Sequence, residues 1–354
     1  MKEIPPFRNT QNNAVRFPFV KGNRGSKFKV QYRLEGYSNS SIERKKSHKM
    51  NEIVLKTNKL VKEYSDRRAV NNLSMTLNRG EIYGFIGQNG AGKTTLLRLV
   101  TALIQPTSGS IELFGSSEKN ELISARKRIG SMIETPAFFP KLTARENLEY
   151  YRIQRGSSEE QEIGQVLEQV NLSDTGDKPF HQFSLGMKQR LGLALAIMGE
   201  PELLILDEPI NGLDPTGMIE FRDIIHGLNQ EHGITILLSS HILSELTQVA
   251  THYGVIHHGQ LLKEFTSKKL EKNTQGHLSM RVDNADKSRI ILQSMIKKDR
   301  FEVYPKNEIR LFDYMNDLPA VLEQLSKNGI KIYSTNEVKI NLEDYFIQII
   351  EGRD

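Results

Sequence analysis

A glycine-rich stretch constrains this chain more than any other feature of its sequence. It follows an apolar run at 82–86, has the pattern G-x-x-x-x-G-K-T, and consists of Gly87, Gln88, Asn89, Gly90, Ala91, Gly92, Lys93 and Thr94. In such a loop the glycines let backbone N–H groups close around phosphate oxygens, the lysine reaches the terminal phosphates, and the threonine hydroxyl can bind Mg²⁺. The residues from Thr95 onward continue as a helix whose N-terminal dipole points at the anion. The stretch predicts a strand, a phosphate loop and a helix that bind a nucleoside triphosphate.

Two adjacent carboxylates, Asp207 and Glu208, are expected to complete this site. They follow an apolar strand predicted at 203–206, and ligands of open α/β sheets bind at the carboxyl ends of strands. Asp207 suits a Mg²⁺ site through bound water, and Glu208 suits the polarisation of a water that attacks the γ-phosphate. The alternative, a solvated strand end, is less favoured because a phosphate loop precedes the pair.

Alternating strands and helices predict an α/β fold with a parallel sheet covered on both faces. Strands are predicted at 53–55, 59–61, 73–77, 109–115, 128–133, 203–206 and 234–238. Between 143 and 198 the pattern is helical, opening with a capping box at Thr143–Glu146 and including a helix at 158–170. A further helix is predicted after Asp214 as N-cap and Pro215 as first residue.

Three regions are predicted along the chain: a basic extension at 1–49, a nucleotide-binding domain at 50–265 and a small α+β domain at 266–354. The first holds 12 of the 48 lysines and arginines but only 3 acidic residues, which gives it a net charge of +9 within a chain of net charge +5. A solvated extension, which includes the alternative of translated sequence upstream of Met50, is favoured over a segment that binds anionic lipid or nucleic acid.

The small α+β domain is predicted from its own pattern of strands and helices. Strands are expected at 278–282, 301–304, 309–312 and 330–333, and helices at 288–296, 318–325 and 342–350. The last helix, capped by Asn341, is expected to pack on this domain. His257 and His258 precede a glycine without a third ligand nearby, so a solvated turn is favoured over a metal site.

The composition excludes several classes of protein. With no cysteine, neither disulfides nor thiolate metal sites contribute to the fold. The strongly apolar runs are strand-sized, well short of the roughly 20 residues that cross a bilayer, and the N-terminus has no apolar signal-peptide core. A soluble cytoplasmic protein is expected, whose membrane role would depend on a partner.

Three further motifs resemble those of the ATP-binding-cassette (ABC) ATPases. Phe183–Arg190 reads F-S-L-G-M-K-Q-R and resembles the signature motif, Asn211–Asp214 resembles the D-loop, and His241 resembles the switch histidine. The signature departs from the family's usual pattern by having Leu185 in place of glycine and Met187 in place of glutamine. Over about residues 50–265 the chain is identified as a member of this family. The resemblance implies a parallel-sheet core with an antiparallel β subdomain and a helical subdomain.

The resemblance also implies roles for individual residues. Two cassettes of this family pack head to tail, so that Ser184 and Gly186 of a second copy would contact the γ-phosphate. Asp214 would connect the two sites, and His241 would hold the γ-phosphate and the attacking water. Tyr64 resembles the aromatic residue that stacks on adenine, the alternative being an ordinary tyrosine at a strand end.

Glu134 occupies the position at which the family usually has the glutamine of its Q-loop. A carboxylate so close to Mg²⁺, Asp207 and Glu208 adds charge repulsion unless it binds the metal or carries a proton, so Glu134 is a candidate metal ligand. Glu134 and the stretch 138–148 resemble the ATP-binding subunits of bacitracin and lantibiotic-type exporters, as does the C-terminal stretch 341–346. Family analogy places the region after Glu134 against the permease.

These features together favour the Mg²⁺-dependent ATPase subunit of an ABC transporter that exports a peptide antibiotic. Its expected partners are a second copy of itself and a separate membrane permease, through which it would bind the inner face of the cell membrane; no specific nucleic acid is expected. The alternatives are export of another cargo, such as a drug or sodium, and a soluble ABC ATPase that acts on ribosomes or nucleic acid.

Overall fold

The computed structural model describes residues 52–352 apart from 66, 135–136, 157–160, 298–299, 313–317 and 339–340. The predictions for residues 1–49 lie outside the described residues. The strands are β1 (Ile53–Tyr64), β2 (Arg67–Asn78), β3 (Ile82–Ile86), β4 (Ser108–Leu113), β5 (Ile129–Met132), β6 (Leu203–Asp207), β7 (Thr235–Ser240), β8 (His252–His257), β9 (Gln260–Thr266), β10 (His277–Val282), β11 (Phe301–Tyr304), β12 (Glu308–Phe312) and β13 (Ile332–Val338). The α-helices are α1 (Lys93–Val100), α2 (Lys119–Arg126), α3 (Ala144–Arg155), α4 (Gln161–Gln169), α5 (Leu185–Ile197), α6 (Pro215–Gln230), α7 (Leu243–Leu246), α8 (Ser267–Thr274), α9 (Ala285–Met295), α10 (Leu318–Lys327) and α11 (Leu342–Ile350).

The central sheet has six strands in the order β5-β6-β7-β3-β8-β9. Its first five strands are parallel, and β9 pairs antiparallel with β8. Because side chains alternate along a strand, Leu203 and Ile205 enter one hydrophobic core while Leu204 and Leu206 enter the other. Burial of both faces explains why these strands are apolar throughout, and it confirms the predicted α/β fold with a parallel core.

A three-stranded antiparallel sheet, in the order β2-β1-β4, covers one face of the central sheet. The runs predicted as separate strands at 53–55 and 59–61 form the single strand β1. The register of β1 against β2 shifts between Thr57 and Leu60, and Lys59 has a φ of 45°. The strand therefore continues through an irregularity that interrupts its apolar alternation.

The other face of the central sheet packs against helices. Helices α3, α4 and α5 form the predicted helical insertion, and α3 begins with the predicted capping box between Thr143 and Glu146. The helix predicted at 158–170 corresponds to α4, whose predicted start lies outside the described residues. Helix α6 begins as expected, with Asp214 as N-cap and Pro215 as its first residue.

The four C-terminal strands form an antiparallel sheet in the order β11-β12-β10-β13. With α9 between β10 and β11 and α10 between β12 and β13, the chain has the β-α-β-β-α-β order of a split βαβ unit. The side chains of both helices join one face of this sheet in a core of their own.

The last helix, α11, packs elsewhere than expected. Asn341 caps it as predicted, since its side chain accepts a hydrogen bond from the Glu343 N–H at 3.1 Å. Its buried residues Tyr345 and Ile349, however, belong to the core shared by α3 to α6. The Tyr345 hydroxyl accepts a hydrogen bond from the Asn273 amide at 2.6 Å. The prediction that this helix packs on the small C-terminal domain is wrong, because its apolar stripe completes the nucleotide-binding core.

Across the described part of the chain, none of the helices is both long enough and apolar enough to cross a membrane.

Candidate active site

The phosphate loop joins β3 to α1 at the carboxyl edge of the central sheet. Glycine is required at two of its positions, because a Cβ on Gly87 would lie 2.6 Å from the carbonyl oxygen of Ile256 and one on Gly92 would lie 2.3 Å from that of Ala69. Gly92 has a φ of 112° and caps α1. The backbone of neighbouring segments therefore packs closely against one side of the loop. Gln88, Asn89 and Gly90 are exposed on the other side.

Lys93, the first residue of α1, folds back over the loop. Its side chain is 6% exposed, and Nζ donates hydrogen bonds to the carbonyl oxygens of Gly87 at 2.6 Å and Gln88 at 3.3 Å. Nζ also lies 3.1 Å from Glu208 Oε1, an ion pair without hydrogen-bond alignment. The lysine thus joins the two halves of the predicted site.

Asp207 lies at the end of β6 and contacts the threonine of the phosphate loop. Thr94 Oγ1 donates to Asp207 Oδ2 at 2.7 Å. Ser239, fully buried on the neighbouring strand β7, donates from Oγ to Asp207 Oδ1 at 2.6 Å and accepts the Glu208 N–H at 3.0 Å. Ser239 is not among the site residues predicted from the sequence, although a polar residue at the end of an apolar parallel strand could have indicated it.

Glu208 is held in an unusual backbone conformation between two charged neighbours. Its φ is 47°, in the left-handed region that residues with a Cβ seldom adopt. Its Oε2 lies 2.8 Å from His241 Nδ1, and its Oε1 faces Lys93. The structure therefore brings together five residues that the sequence predicted, namely Lys93, Thr94, Asp207, Glu208 and His241.

The oxygens of Thr94 and Asp207 form a donor set that fits Mg²⁺. Both are hard oxygen ligands, and Mg²⁺ is usually held by one or two carboxylates together with substrate phosphates. The described residues contain no group of three or more histidine, cysteine, aspartate or glutamate side chains placed to hold a metal ion.

Tyr64 lies at the end of β1, 46% exposed. It pairs across the sheet with Arg67, whose guanidinium donates to the Gly90 carbonyl at 2.8 Å. Arg67, which was not predicted as a site residue, therefore links this end of the sheet to the phosphate loop. An exposed aromatic ring can stack on a base, and the stacking of Tyr64 on adenine stays a prediction.

The signature residues lie at the start of another helix, α5. Ser184 is the N-cap, and its Oγ accepts the Met187 N–H at 3.2 Å, while Gly186 is in the first turn. A Cβ on Gly212 would lie 3.3 Å from Leu185 Cδ2, so the signature packs beside the Asn211–Asp214 loop. In the described part of the chain, Ser184 and Gly186 make no hydrogen bond to the phosphate loop, Asp207 or Glu208.

Asp214, by contrast, has a local role as a cap. Its Oδ1 accepts the Gly217 N–H at 3.1 Å at the start of α6. A link between two nucleotide sites through Asp214 stays a prediction.

Glu134 follows β5 and has a φ of 66°. Its carboxylate is 66% exposed and makes an ion pair with Arg98 on α1. The structure therefore pairs it with a cation and does not bring it into contact with Asp207 or Glu208 among the described residues. Its function as a metal ligand stays a prediction.

Fold and site together define the class of protein. A parallel sheet carries a phosphate loop, and the adjacent strands supply an aspartate bonded to the loop threonine and a glutamate bonded to a histidine. This is the arrangement of a phosphate-loop ATPase.

The comparisons with known proteins define the family. A family model described as "ABC transporter" matches residues 70–211. The bacitracin transport ATP-binding protein BcrA of Bacillus licheniformis is 41% identical over 302 residues, which cover 84% of this chain and 98% of the relative. The lantibiotic transport ATP-binding protein SrtF of Streptococcus pyogenes is 43% identical over 211 residues, 60% of this chain and 90% of the relative. The chain belongs to the ATP-binding subunits of ABC transporters, a family that binds and hydrolyses ATP.

A solved structure has the same fold. The dimeric structure of MJ0796, a bacterial ABC transporter cassette, covers 60% of this chain and 99% of its own, with a TM-score of 0.55 and 23% identity.

Proposed function

We propose that this protein is the Mg²⁺-dependent ATPase subunit that powers export of a peptide antibiotic through a separate membrane permease. The observation that carries the proposal is that Lys93, Thr94, Asp207, Glu208 and His241 meet in one site. The chain that holds this site matches a bacitracin transport protein over 98% of that protein's length. The match is longer than the region 50–265, so the similarity extends beyond the nucleotide-binding core into the C-terminal domain.

Each residue of the set has a distinct task in ATP hydrolysis. Thr94 and Asp207 would hold Mg²⁺, which supplies charge neutralisation for the phosphates. Glu208 orients a water and accepts its proton, while His241, bonded to Glu208, holds that carboxylate in place. Lys93 Nζ lies 3.1 Å from Glu208 Oε1 and would contact the terminal phosphates of ATP, as the lysine of a phosphate loop does.

The site is completed by a second copy of the chain. In support of this, Ser184 and Gly186 lie at an exposed helix start without a bond to the chain's own phosphate loop in its described part. A helix N-terminus favours an anion such as the γ-phosphate. The dimeric cassette of the same fold also supports this arrangement.

The permease binds near Glu134 and α3. An exposed aromatic pair supports this surface: Phe139 and Tyr150 lie edge to face with centroids 4.7 Å apart, and Ile153 beside them on α3 is 64% exposed. Exposed apolar groups of this kind mark interaction sites. Since Glu134 pairs with Arg98 of the helix that follows the phosphate loop, a shift of α1 on nucleotide binding would reach this surface.

The Glu208→Gln variant tests the transporter proposal. With the proton acceptor removed, the variant should bind ATP without hydrolysing it and should accumulate as an ATP-bound dimer on the permease. Isolated from membranes with ATP, it should bring down an integral membrane protein, and without ATP it should bring down less. Recovery of ribosomes or nucleic acid alone would contradict the proposal.

A separate measurement tests the cargo. Loss of the protein from its host should raise sensitivity to bacitracin or lantibiotic peptides, with sensitivity to an unrelated drug as the control. Unchanged peptide sensitivity would refute the cargo while leaving the ATPase assignment in place.

A further inference from the structure

Lys178 places its ammonium group beside the first turn of α5. The residue is exposed, and its Nζ donates a weak hydrogen bond to Met187 Sδ at 3.9 Å. The Met187 N–H in turn donates to Ser184 Oγ at 3.2 Å. A positive charge therefore lies close to Ser184, which is proposed to contact the γ-phosphate of ATP on a second copy.

The backbone that carries Lys178 is held on both sides. Its N–H donates to the Thr175 carbonyl at 3.0 Å, and the Phe180 N–H donates to the Leu142 carbonyl at 2.8 Å. Pro179, between them, has a φ of −75°, within the narrow range that its ring allows. The ammonium group can therefore change place only by rotation within its own side chain, and it stays within reach of the start of α5.

No carboxylate of the described residues balances this ammonium group. Asp174 and Asp177 precede Lys178 in sequence, yet neither forms an ion pair with it in the part of the chain that the structure describes. The first turn of α5 contains no acidic residue. Because a helix N-terminus carries a partial positive charge, a cation beside it is unfavourable unless an anion is also present. The charges at this place therefore favour an anion from outside the chain.

Met187 shows which hydrogen-bond donor is missing here. It occupies the position at which the ABC signature usually has glutamine. A thioether has no N–H to donate, whereas a glutamine amide has two and an ammonium group has three. The contact between Nζ and Sδ puts the donors of Lys178 beside the end of the Met187 side chain. Lys178 thus offers N–H groups where the family's usual residue would offer them.

We infer that Lys178 binds the triphosphate of the ATP held by the phosphate loop of a second copy, and that it supplies the donor that Met187 lacks. An ammonium group forms charge-assisted hydrogen bonds with phosphate oxygens, and these are stronger than the bonds of a neutral amide. Within the described chain Lys178 makes no bond to its own phosphate loop, so it acts on the ATP of the other copy. The inference rests on the proposed site that two copies share.

Replacement of Lys178 tests the contact. Lys178→Ala should raise the KM of the full-length ATPase for ATP about tenfold, which is the loss of one hydrogen bond to a charged group. Lys178→Arg keeps a cation and should stay within about twofold of the wild type. The matched control is Lys141→Ala, which removes an exposed lysine just before α3 and should leave the KM unchanged. A KM of Lys178→Ala equal to that of the control would overturn the inference.

Two further measurements separate this role from a structural one. Direct binding of ATP to monomeric Lys178→Ala should equal binding to the monomeric wild type, because the phosphate loop of the same chain is intact. Met187→Gln in the Lys178→Ala background should lower the KM again towards that of the wild type, because glutamine restores an N–H donor. Weaker binding by the monomer, or no recovery by glutamine, would contradict the role of Lys178 as a replacement donor.

Mixed dimers show on which copy Lys178 acts. Lys93→Ala removes the lysine of the phosphate loop and Gly186→Asp blocks the signature, so a mixture of the two has its complete site between the phosphate loop of the second variant and the signature of the first. Lys178→Ala added to the Lys93→Ala copy should raise the KM of this mixture about tenfold. Lys178→Ala added to the Gly186→Asp copy should leave the KM unchanged, because the complete site then keeps Lys178.

The two mixtures contain the same substitutions and differ only in the copy that carries Lys178. Equal KM values in both would overturn the inference while leaving the shared site in place. Two inactive mixtures that contain mixed dimers would instead refute the shared site, and with it the inference.

Discussion

Ser239 positions both carboxylates of the active site. It is fully buried, donates to Asp207 and accepts the backbone N–H of Glu208, so its hydroxyl stabilises the left-handed conformation in which Glu208 is held. The sequence could predict Asp207 and Glu208 because they are adjacent carboxylates after an apolar strand, and His241 because it resembles the switch histidine of the family. It could not predict the task of Ser239, because that task depends on the register between β6 and β7, in which Asp207 lies opposite Ser239.

Replacement of this serine should therefore impair catalysis more than ATP binding. Ser239→Ala removes two hydrogen bonds to the carboxylate segment, and we expect kcat to fall about 10- to 100-fold with a much smaller change in KM. Steady-state ATPase kinetics measure this. Ser240→Ala is the matched control, because Ser240 is equally buried on the same strand but its hydroxyl contacts Ile242 and Glu245. Equal losses in the two variants would show that Ser239 acts only through packing.

Tyr253 makes the stability of the fold sensitive to alkaline pH. It is buried in β8, its hydroxyl donates to the Ala250 carbonyl at 2.8 Å, and burial raises its pKa to about 12. In the unfolded chain the pKa of a tyrosine hydroxyl is about 10. The stability due to the neutral hydroxyl is thus fully present below about pH 10 and is lost as the pH rises towards the folded pKa.

The Tyr253→Phe variant should remove this dependence. Between about pH 9 and pH 11 the free energy of unfolding should fall more in the wild type than in the variant, which has no hydroxyl to ionise. Urea unfolding at the two pH values measures the difference. Parallel losses in both proteins would contradict the assignment, since Tyr83 and all other groups are common to both.

At the scale of secondary structure, strand β8, which was not predicted from the sequence, depends on a tertiary contact. Strand β8 contains Gly254, a poor strand former, yet a Cβ there would lie 2.2 Å from the Tyr83 hydroxyl, so glycine makes room for a ring from the neighbouring strand. In contrast, β6 and β7 were predictable because burial on both faces makes them continuously apolar. The periodicity of apolar residues predicts an element that is amphipathic or fully buried. It does not predict an element whose residues are chosen to fit one neighbouring side chain, as Gly254 fits the Tyr83 ring.

Helix α11 shows the same limit, because its pattern predicts an amphipathic helix but not the surface on which it packs. Its attachment to the nucleotide-binding core gives a stability test. Ile349→Ala should lower the free energy of unfolding by about 2–5 kcal/mol, because Ile349 is 6% exposed within that core. Ile347→Ala on the same helix, where the side chain is 48% exposed, should cost less than about 1 kcal/mol. Chemical denaturation measures both, and equal costs would contradict the packing of α11.

At the scale of the whole molecule, we propose that the phosphate loop is half of an active site. Lys93, Thr94, Asp207, Glu208 and His241 meet within one chain, whereas Ser184 and Gly186 lie at the start of α5 and bond only within their own segment of the described structure. The fold class and the residues of the first group could be predicted from motifs in a single sequence. A site shared between two copies cannot be seen in one chain.

Mixing two inactive variants tests this proposal most directly. Lys93→Ala disables the phosphate loop and Gly186→Asp disables the signature, so each variant alone should lack ATPase activity. If the site is shared head to tail, each mixed dimer has one site in which both halves are intact. An equimolar mixture should then recover about a quarter of wild-type turnover, since half of randomly formed dimers are mixed and one of their two sites is complete. A mixture as inactive as its components, with mixed dimers present, would contradict the shared site.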